Sequence, residues 1–149
     1  MTTTLPKLTH AEENAQGHAE KILALYRGYL AITGDGASDA TIDGEIYTDA
    51  EEIEDHAREC ALSVEVRTGW YVPGTITREA PAEYQIVLTC GGPALRIRGR
   101  LNETGEPETA RLEWQDWGTQ WTGYLVIGAS SADIDAALMW YVSLFCFEE

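Results

Sequence analysis

The chain has 149 residues, 44% apolar and 23% charged, and a formal net charge of −15 from 10 basic and 25 acidic side chains. That is enough chain for one ordinary domain with a real core, and the composition excludes a disordered polypeptide. No apolar run of about 18 residues is present, which excludes a membrane-spanning helix. A field this acidic also repels nucleic-acid phosphates and anionic membranes, so direct DNA or RNA binding by a broad face is not expected.

The first residues, MTTTLPKLTHAEEN, lack the basic flank and apolar core of a signal peptide, and a cytoplasmic location is expected. Cys60, Cys90 and Cys146 are an odd, widely spaced set with no CxxC pair. They read as three reduced, mostly buried thiols. The acidity suits a basic protein partner, such as a nucleic-acid-binding enzyme. The plainer reading is that it keeps a small protein from associating.

Residues 1–8 read as a flexible start to a single domain, with a helical acidic part over 9–61. Thr9–Glu12 (THAE) is a capping-box pattern, in which hydroxyl and carboxylate satisfy orphan N–H groups. The helix it opens runs to about Ile32, with Ile22, Leu25, Tyr26, Tyr29 and Leu30 as its buried stripe and Gly34 and Gly36 as its stop. Residues 35–47 read as an acidic loop with room for a short extended piece. Thr48–Glu51 (TDAE) is a second capping box, opening a helix to about Ala61 with Ala50, Ile53, Ala57 and Cys60 or Ala61 inward. Its outer face carries Asp49, Glu51, Glu52, Glu54, Asp55 and Glu59 against one Arg58, with Asp43 and Glu45 just upstream. Acidic residues in the first turn also suit the positive end of the helix dipole.

From residue 62 the period changes to two, predicting an antiparallel sheet of about four strands over 62–127. Leu62, Val64 and Val66 alternate with Ser63, Glu65 and Arg67 as a half-buried strand. Residues 69–82 connect to an apolar, central strand at 83–90, and the GGP at 91–93 turns the chain. Residues 94–101 then put Leu95, Ile97 and Leu101 on one face and Arg96, Arg98 and Arg100 on the other. A fourth strand at 110–117 has Leu112 and Trp114 together, and TGYLVI (122–127) either adds a short strand or covers an edge. A C-terminal helix over 130–147 presents Ile134, Ala137, Leu138, Tyr141, Val142 and Phe145. The order of helices, strands and a final helix predicts a two-layer α+β domain with helices on one face of the sheet.

Signals for catalysis are sparse. His56 and Cys60 stand four apart on the second helix with Glu52 one turn earlier, but a zinc site needs a further ligand or a water, and His10 and His18 lie on another helix. No metal or other cofactor is expected. Asp116, between Gln115 and Trp117, is the carboxylate whose aromatic setting suits desolvation and acid–base work. Its plainer reading is a hydrogen-bonded strand-end or turn residue. No nucleophile sits in a GxSxG context, and GDGASD and CGGPAL match neither the phosphate-loop nor the dinucleotide pattern. The protein is therefore read as non-enzymatic.

Trp114, Trp117, Trp121 and Tyr124 form an aromatic cluster. Trp114 is read as core. Trp117 and Trp121 either clasp the turn or project beside the arginines as interface anchors. The arginine row is expected to pair with carboxylates of neighbouring strands, for example Glu65 and Glu113, with an anion-binding ladder as the alternative.

The stretch from SVEVRTGWYVPG through EYQIVLTCGGPALRIRGRLNETGEPETARLEWQDWGTQWTGY to the terminal CFEE resembles a small protein family widespread in bacteriophages and prophages, over about residues 62–149. That family has no settled catalytic activity, so the resemblance implies context and no site residues. The context implies an inhibitor of host defence, anti-CRISPR or anti-restriction in kind, acting in the bacterial cytoplasm. Carboxylates spaced like phosphates would occupy the basic channel of a host nuclease, through Asp43, Glu45, Asp49, Glu51, Glu52, Glu54, Asp55 and Glu59, with Trp117 and Trp121 as candidate anchors. The alternative is a phage accessory or virion-associated interaction module whose acidity serves solubility alone. A homo-oligomer is compatible with the sequence, because the apolar last helix with Trp140 and Phe147 suits a dimer interface as well as its own sheet.

Overall fold

Among the described residues, three helices and two antiparallel sheets give an α+β architecture, with the helices on one face of the larger sheet. The computed structural model describes residues 8–68, 70, 73, 82–90 and 93–147. The flexible start expected before residue 8, most of the 69–82 connection, the glycines of the 91–93 turn and the last two residues lie outside the described residues.

Helix α1 (His10–Thr33) opens with the expected capping box: the Thr9 hydroxyl accepts the Glu12 N–H at 3.2 Å and the Glu12 carboxylate accepts the Thr9 N–H at 3.1 Å. Ala11, Ala15 and Ala19 let its first turns approach the neighbouring elements, and Ile22, Leu23 and Leu25 continue the buried stripe. Leu30, expected inside, is 41% exposed because the stripe rotates away from the core over the last turn. At Gly28 an added Cβ would lie 2.7 Å from the Ile42 side chain, so a glycine is what admits the small sheet against α1.

That small sheet replaces the expected loop. Strands β1 (Ala40–Ile42) and β2 (Glu45–Tyr47) form a hairpin turned by Asp43 and Gly44, with φ of 50° and 81°. Two consecutive positive φ values are the demand of a type I′ turn, which Asp-Gly meets. Helix α2 (Ala50–Glu59) is capped by Asp49 rather than Thr48: the Asp49 carboxylate accepts the Glu51 N–H at 3.0 Å. An ionised cap also meets the positive helix end, which a hydroxyl one residue earlier does not. Ile53 and Ala57 are buried against the rest of the helical layer.

The large sheet has the order β3 (Ser63–Arg67), β4 (Glu83–Thr89), β5 (Ala94–Arg100), β6 (Arg111–Gln115) and β7 (Thr122–Gly123), antiparallel throughout and five-stranded rather than four. Tyr84, Ile86 and Leu88 of β4 and Leu95 and Ile97 of β5 point into the core with Leu112 of β6. Each such side chain contributes roughly 1.5–3 kcal/mol of burial. Tyr84 lies opposite Gly99, and its hydroxyl donates to the Thr109 carbonyl at 2.5 Å across the space a side chain at 99 would fill. Burial raises the Tyr84 pKa far above the ordinary phenol value.

Strand β3 departs from expectation. Val64 and Val66 face the same side as Ile86 and Tyr84, as alternation predicts, yet Leu62, Val64 and Val66 are 61%, 38% and 40% exposed. Helix α1 packs over β5 and β6, and α3 packs on α1, so the helical layer stops short of this edge.

Helix α3 (Ser131–Ser143) is capped by the Ser130 hydroxyl, which accepts the Asp133 N–H at 3.1 Å. It buries Ala137, Leu138, Tyr141 and Val142, while Phe145 lies beyond its end, half-buried against Tyr141. The Trp140 ring packs 5.6 and 5.4 Å from Tyr26 and Tyr29, and Phe147 lies 4.7 Å from Tyr84. These aromatics cover the chain's own core. Residues 124–127 are tied to α1 by Gln16, whose side-chain amide donates to the Ile127 carbonyl at 2.7 Å and accepts its N–H at 3.0 Å, as a neighbouring strand would. Among the described residues no helix is long and apolar enough to cross a membrane.

Candidate interaction surfaces

The hairpin and α2 form one acidic surface. They meet where the buried Tyr47 packs 5.9 Å from His56, and the Tyr47 hydroxyl donates to Glu45 at 3.2 Å. Burial first, and then this bond, raise the Tyr47 pKa. Asp43, Glu45, Asp49, Glu51, Glu52, Asp55 and Glu59 are exposed, and Glu54 is half-buried. Arg58 reaches Asp55 at 2.8 Å and Glu54 at 3.4 Å, and its Nε donates to the Leu144 carbonyl at 3.0 Å. At this exposure each ion pair contributes only about 0.5 kcal/mol. The Leu144 bond matters more for geometry, since it fixes the end of α2 against the end of α3.

Trp117 and Trp121 are not part of that surface. Trp121 stands on the side of the large sheet opposite the helices, and Trp117 in a turn beyond the end of β6. Trp117 is 81% exposed in the 116–119 turn, whereas Trp121 lies over the Arg96 guanidinium, 4.1 Å from its centroid. Beneath it, Arg96 donates to Glu113 at 2.8 Å and to the Gln85 carbonyl oxygen at 2.8 Å. Glu113 is only 6% exposed, and Arg111 approaches it from the other side at 3.5 Å. Gly123 makes room for Arg111, because a Cβ there would sit 2.5 Å from its guanidinium. Arg98 bonds Glu83 at 3.2 Å, and Glu83 also binds Arg67. The two guanidiniums hold the Glu83 carboxyl below its ordinary pKa. Arg100 makes no ion pair among the described residues. The result is a shallow cleft of about 300 Å³ lined by Glu65, Arg67, Glu83, Gln85, Arg96 and Arg98, its charges largely matched within the chain.

Pairing thus wins for Arg96 and Arg98, through Glu113 as expected and through Glu83 where Glu65 was expected. Glu65 sits on β3, two strands from β5, and faces Gln85. Trp114 is packed against the core.

The remaining chemical candidates resolve into local structure. Asp116 is exposed: its carboxylate accepts the Trp117 N–H at 2.8 Å, its N–H donates to the Thr119 hydroxyl at 3.0 Å, and that hydroxyl donates back to its carbonyl at 2.9 Å. It is a turn residue and not a desolvated carboxylate. The Cys60 thiol donates to the His56 carbonyl at 3.3 Å, so it is directed at backbone. Cys60 is half-buried, but Cys90 and Cys146 are exposed, against the expectation of buried thiols, because both fall beyond the ends of regular elements.

No protein-family profile, curated protein or solved structure matches the chain.

Proposed function

We propose that the protein is a non-enzymatic binding module whose acidic hairpin–α2 face engages a basic, nucleic-acid-handling surface. The partner class is a host defence nuclease complex, of CRISPR or restriction type, met in the bacterial cytoplasm by a phage-encoded inhibitor. The observation that carries this reading is the charge density of α2. With its cap the helix holds six carboxylates and one guanidinium, a net of −5 in which Glu51, Glu52 and Glu59 have no paired cation among the described residues. Over an 11-residue length of roughly 16 Å that is about one charge per 3 Å, close to the 3.4 Å per charge of one DNA strand. Glu51, Asp55 and Glu59 also follow one another at helical (i, i+4) spacing, a ridge of carboxylates about 6 Å apart. The phage resemblance supplies the partner class; the surface supports its sign.

The variant Glu51→Lys/Glu52→Lys/Glu59→Lys tests this while leaving the Arg58 contacts in place. In affinity capture from a bacterium with active CRISPR and restriction systems, the wild type is expected to recover a DNA-cleaving complex. Duplex DNA should displace that partner, and added salt should weaken it. Equal recovery by the variant, or indifference to DNA, would refute the reading.

A further inference from the structure

We infer that the β3 edge is the contact between two copies of this chain, paired antiparallel about Val66 so that the two sheets become one. Strand β3 ends the sheet, and among the described residues nothing pairs with its outer edge. An open strand of this kind is a template for another strand, and proteins usually guard it with prolines, bulges or inward charges. Residues 62–68 contain no proline, and β3 pairs with β4 without a register shift. Instead the edge carries Leu62, Val64 and Val66, all exposed, on the side where the helical layer has ended.

A second copy fits because of what alternates with those apolar residues. A two-fold axis perpendicular to the sheet pairs residues of the same face, and three registers are then available. Centring on Glu65 sets Glu65 against its own copy, a like-charge pair. Centring on Val64 leaves Arg67 opposite Ala61. Centring on Val66 sets Glu65 opposite Arg67 twice, Val66 opposite Val66, and Val64 opposite Thr68. Both charged residues are exposed, and Arg67 engages Glu83 through Nε; among the described residues its terminal nitrogens have no carboxylate, which leaves them for a partner's. All three registers bring apolar side chains together, and only the one centred on Val66 also sets opposite charges against each other. The contact is small beside a standard interface of roughly 800 Å² per partner, so the dimer is weak and concentration-dependent.

Sedimentation equilibrium over a concentration series, at about 0.15 M salt where the long-range repulsion of two acidic molecules is screened, is the test. The mass should rise from 16.4 kDa toward twice that value. Glu65→Arg alone and Arg67→Glu alone should each weaken association by roughly tenfold or more, since both charge pairs become repulsive. Mixing the two variants should restore a heterodimer, because every pair is then opposite in sign. Circular dichroism of each variant confirms that the fold is kept. A mass fixed at that of one chain overturns the inference. So does a dimer indifferent to both substitutions, or one that mixing fails to restore.

Discussion

Strands β5 and β3 carry the same pattern and meet different fates. In β5 the residues Leu95 and Ile97 alternate with arginines and are fully buried; in β3 Val64 and Val66 alternate with Glu65 and Arg67 and remain open to solvent. The outer faces differ in the same way. Arg96 of β5 is roofed by Trp121 and matched by Glu113, whereas among the described residues Glu65 of β3 has only the Ser63 hydroxyl at 3.4 Å. Alternation chooses which face a side chain takes. Whether that face is dry depends on how far the covering layer extends: α1 packs mainly over β6 and β5 and reaches β4 where Asn14 donates to the Thr89 hydroxyl at 3.1 Å, while the valines of β3 stay exposed.

Four measurements probe this contrast. The largest effect is expected where burial is most complete on the polar side: Arg96→Met should cost about 3 kcal/mol in denaturant unfolding, because Glu113 stays enclosed and loses the closer and more buried of its two guanidiniums. Adding Glu113→Leu should recover most of that loss, whereas Glu65→Gln should change stability by no more than about 0.5 kcal/mol. On the apolar side, Ile97→Ala should cost about 3 kcal/mol and Val66→Ala well under 1, for loss of methyl groups of similar kind. Equal costs would mean that β3 is covered in solution.

The covering layer contains a flaw of its own. The Tyr141 hydroxyl is buried with no hydrogen-bond partner among the described residues. Tyr141→Phe should therefore raise stability by about 1 kcal/mol, read from the denaturation midpoint. The smallest effect concerns Glu83, which joins the two strands by binding Arg67 of β3 and Arg98 of β5. Its folded pKa lies below the ordinary value of 4.5, so its contribution is complete above that pH and is lost as pH falls through the folded value. Stability measured from pH 6 down to pH 3 should fall less steeply in Glu83→Gln than in the wild type.

Legibility followed the same division. Helix α1, strands β4 and β5 and helix α3 were readable because local periodicity and final burial agree there. The hairpin is half legible: residues 35–47 read as a loop with room for a short extended piece, and the second strand is missing from that reading because three-residue strands are too short to show alternation, although Asp43–Gly44 is the turn's signature. That β3 would stay exposed depends on the reach of α1, which no residue of β3 encodes. The partner of Arg98 was missed for a topological reason: Glu83 is adjacent only once the strand order is known. For the candidate surfaces, spacing placed the acidic residues on the outer side of α2, and all but Glu54 are exposed. The stacking of Trp121 on Arg96 depends on how β7 returns beside β6, which lies beyond local pattern.

The bond between Gln16 and Ile127 joins positions 111 residues apart, and α1 rests on β5, β6 and α3 as well as on the nearer β1 and α2. During translation at 5–20 residues per second, Gln16 is synthesised roughly 5 to 20 s before the segment it must grip has been made. The alanine-lined stripe of α1 waits through that interval without the sheet it is built to cover. Such long-range closure slows folding relative to a chain of local contacts. Nascent chains arrested before residue 127 should accordingly show α1 protease-sensitive, with protection arriving late and nearly all at once.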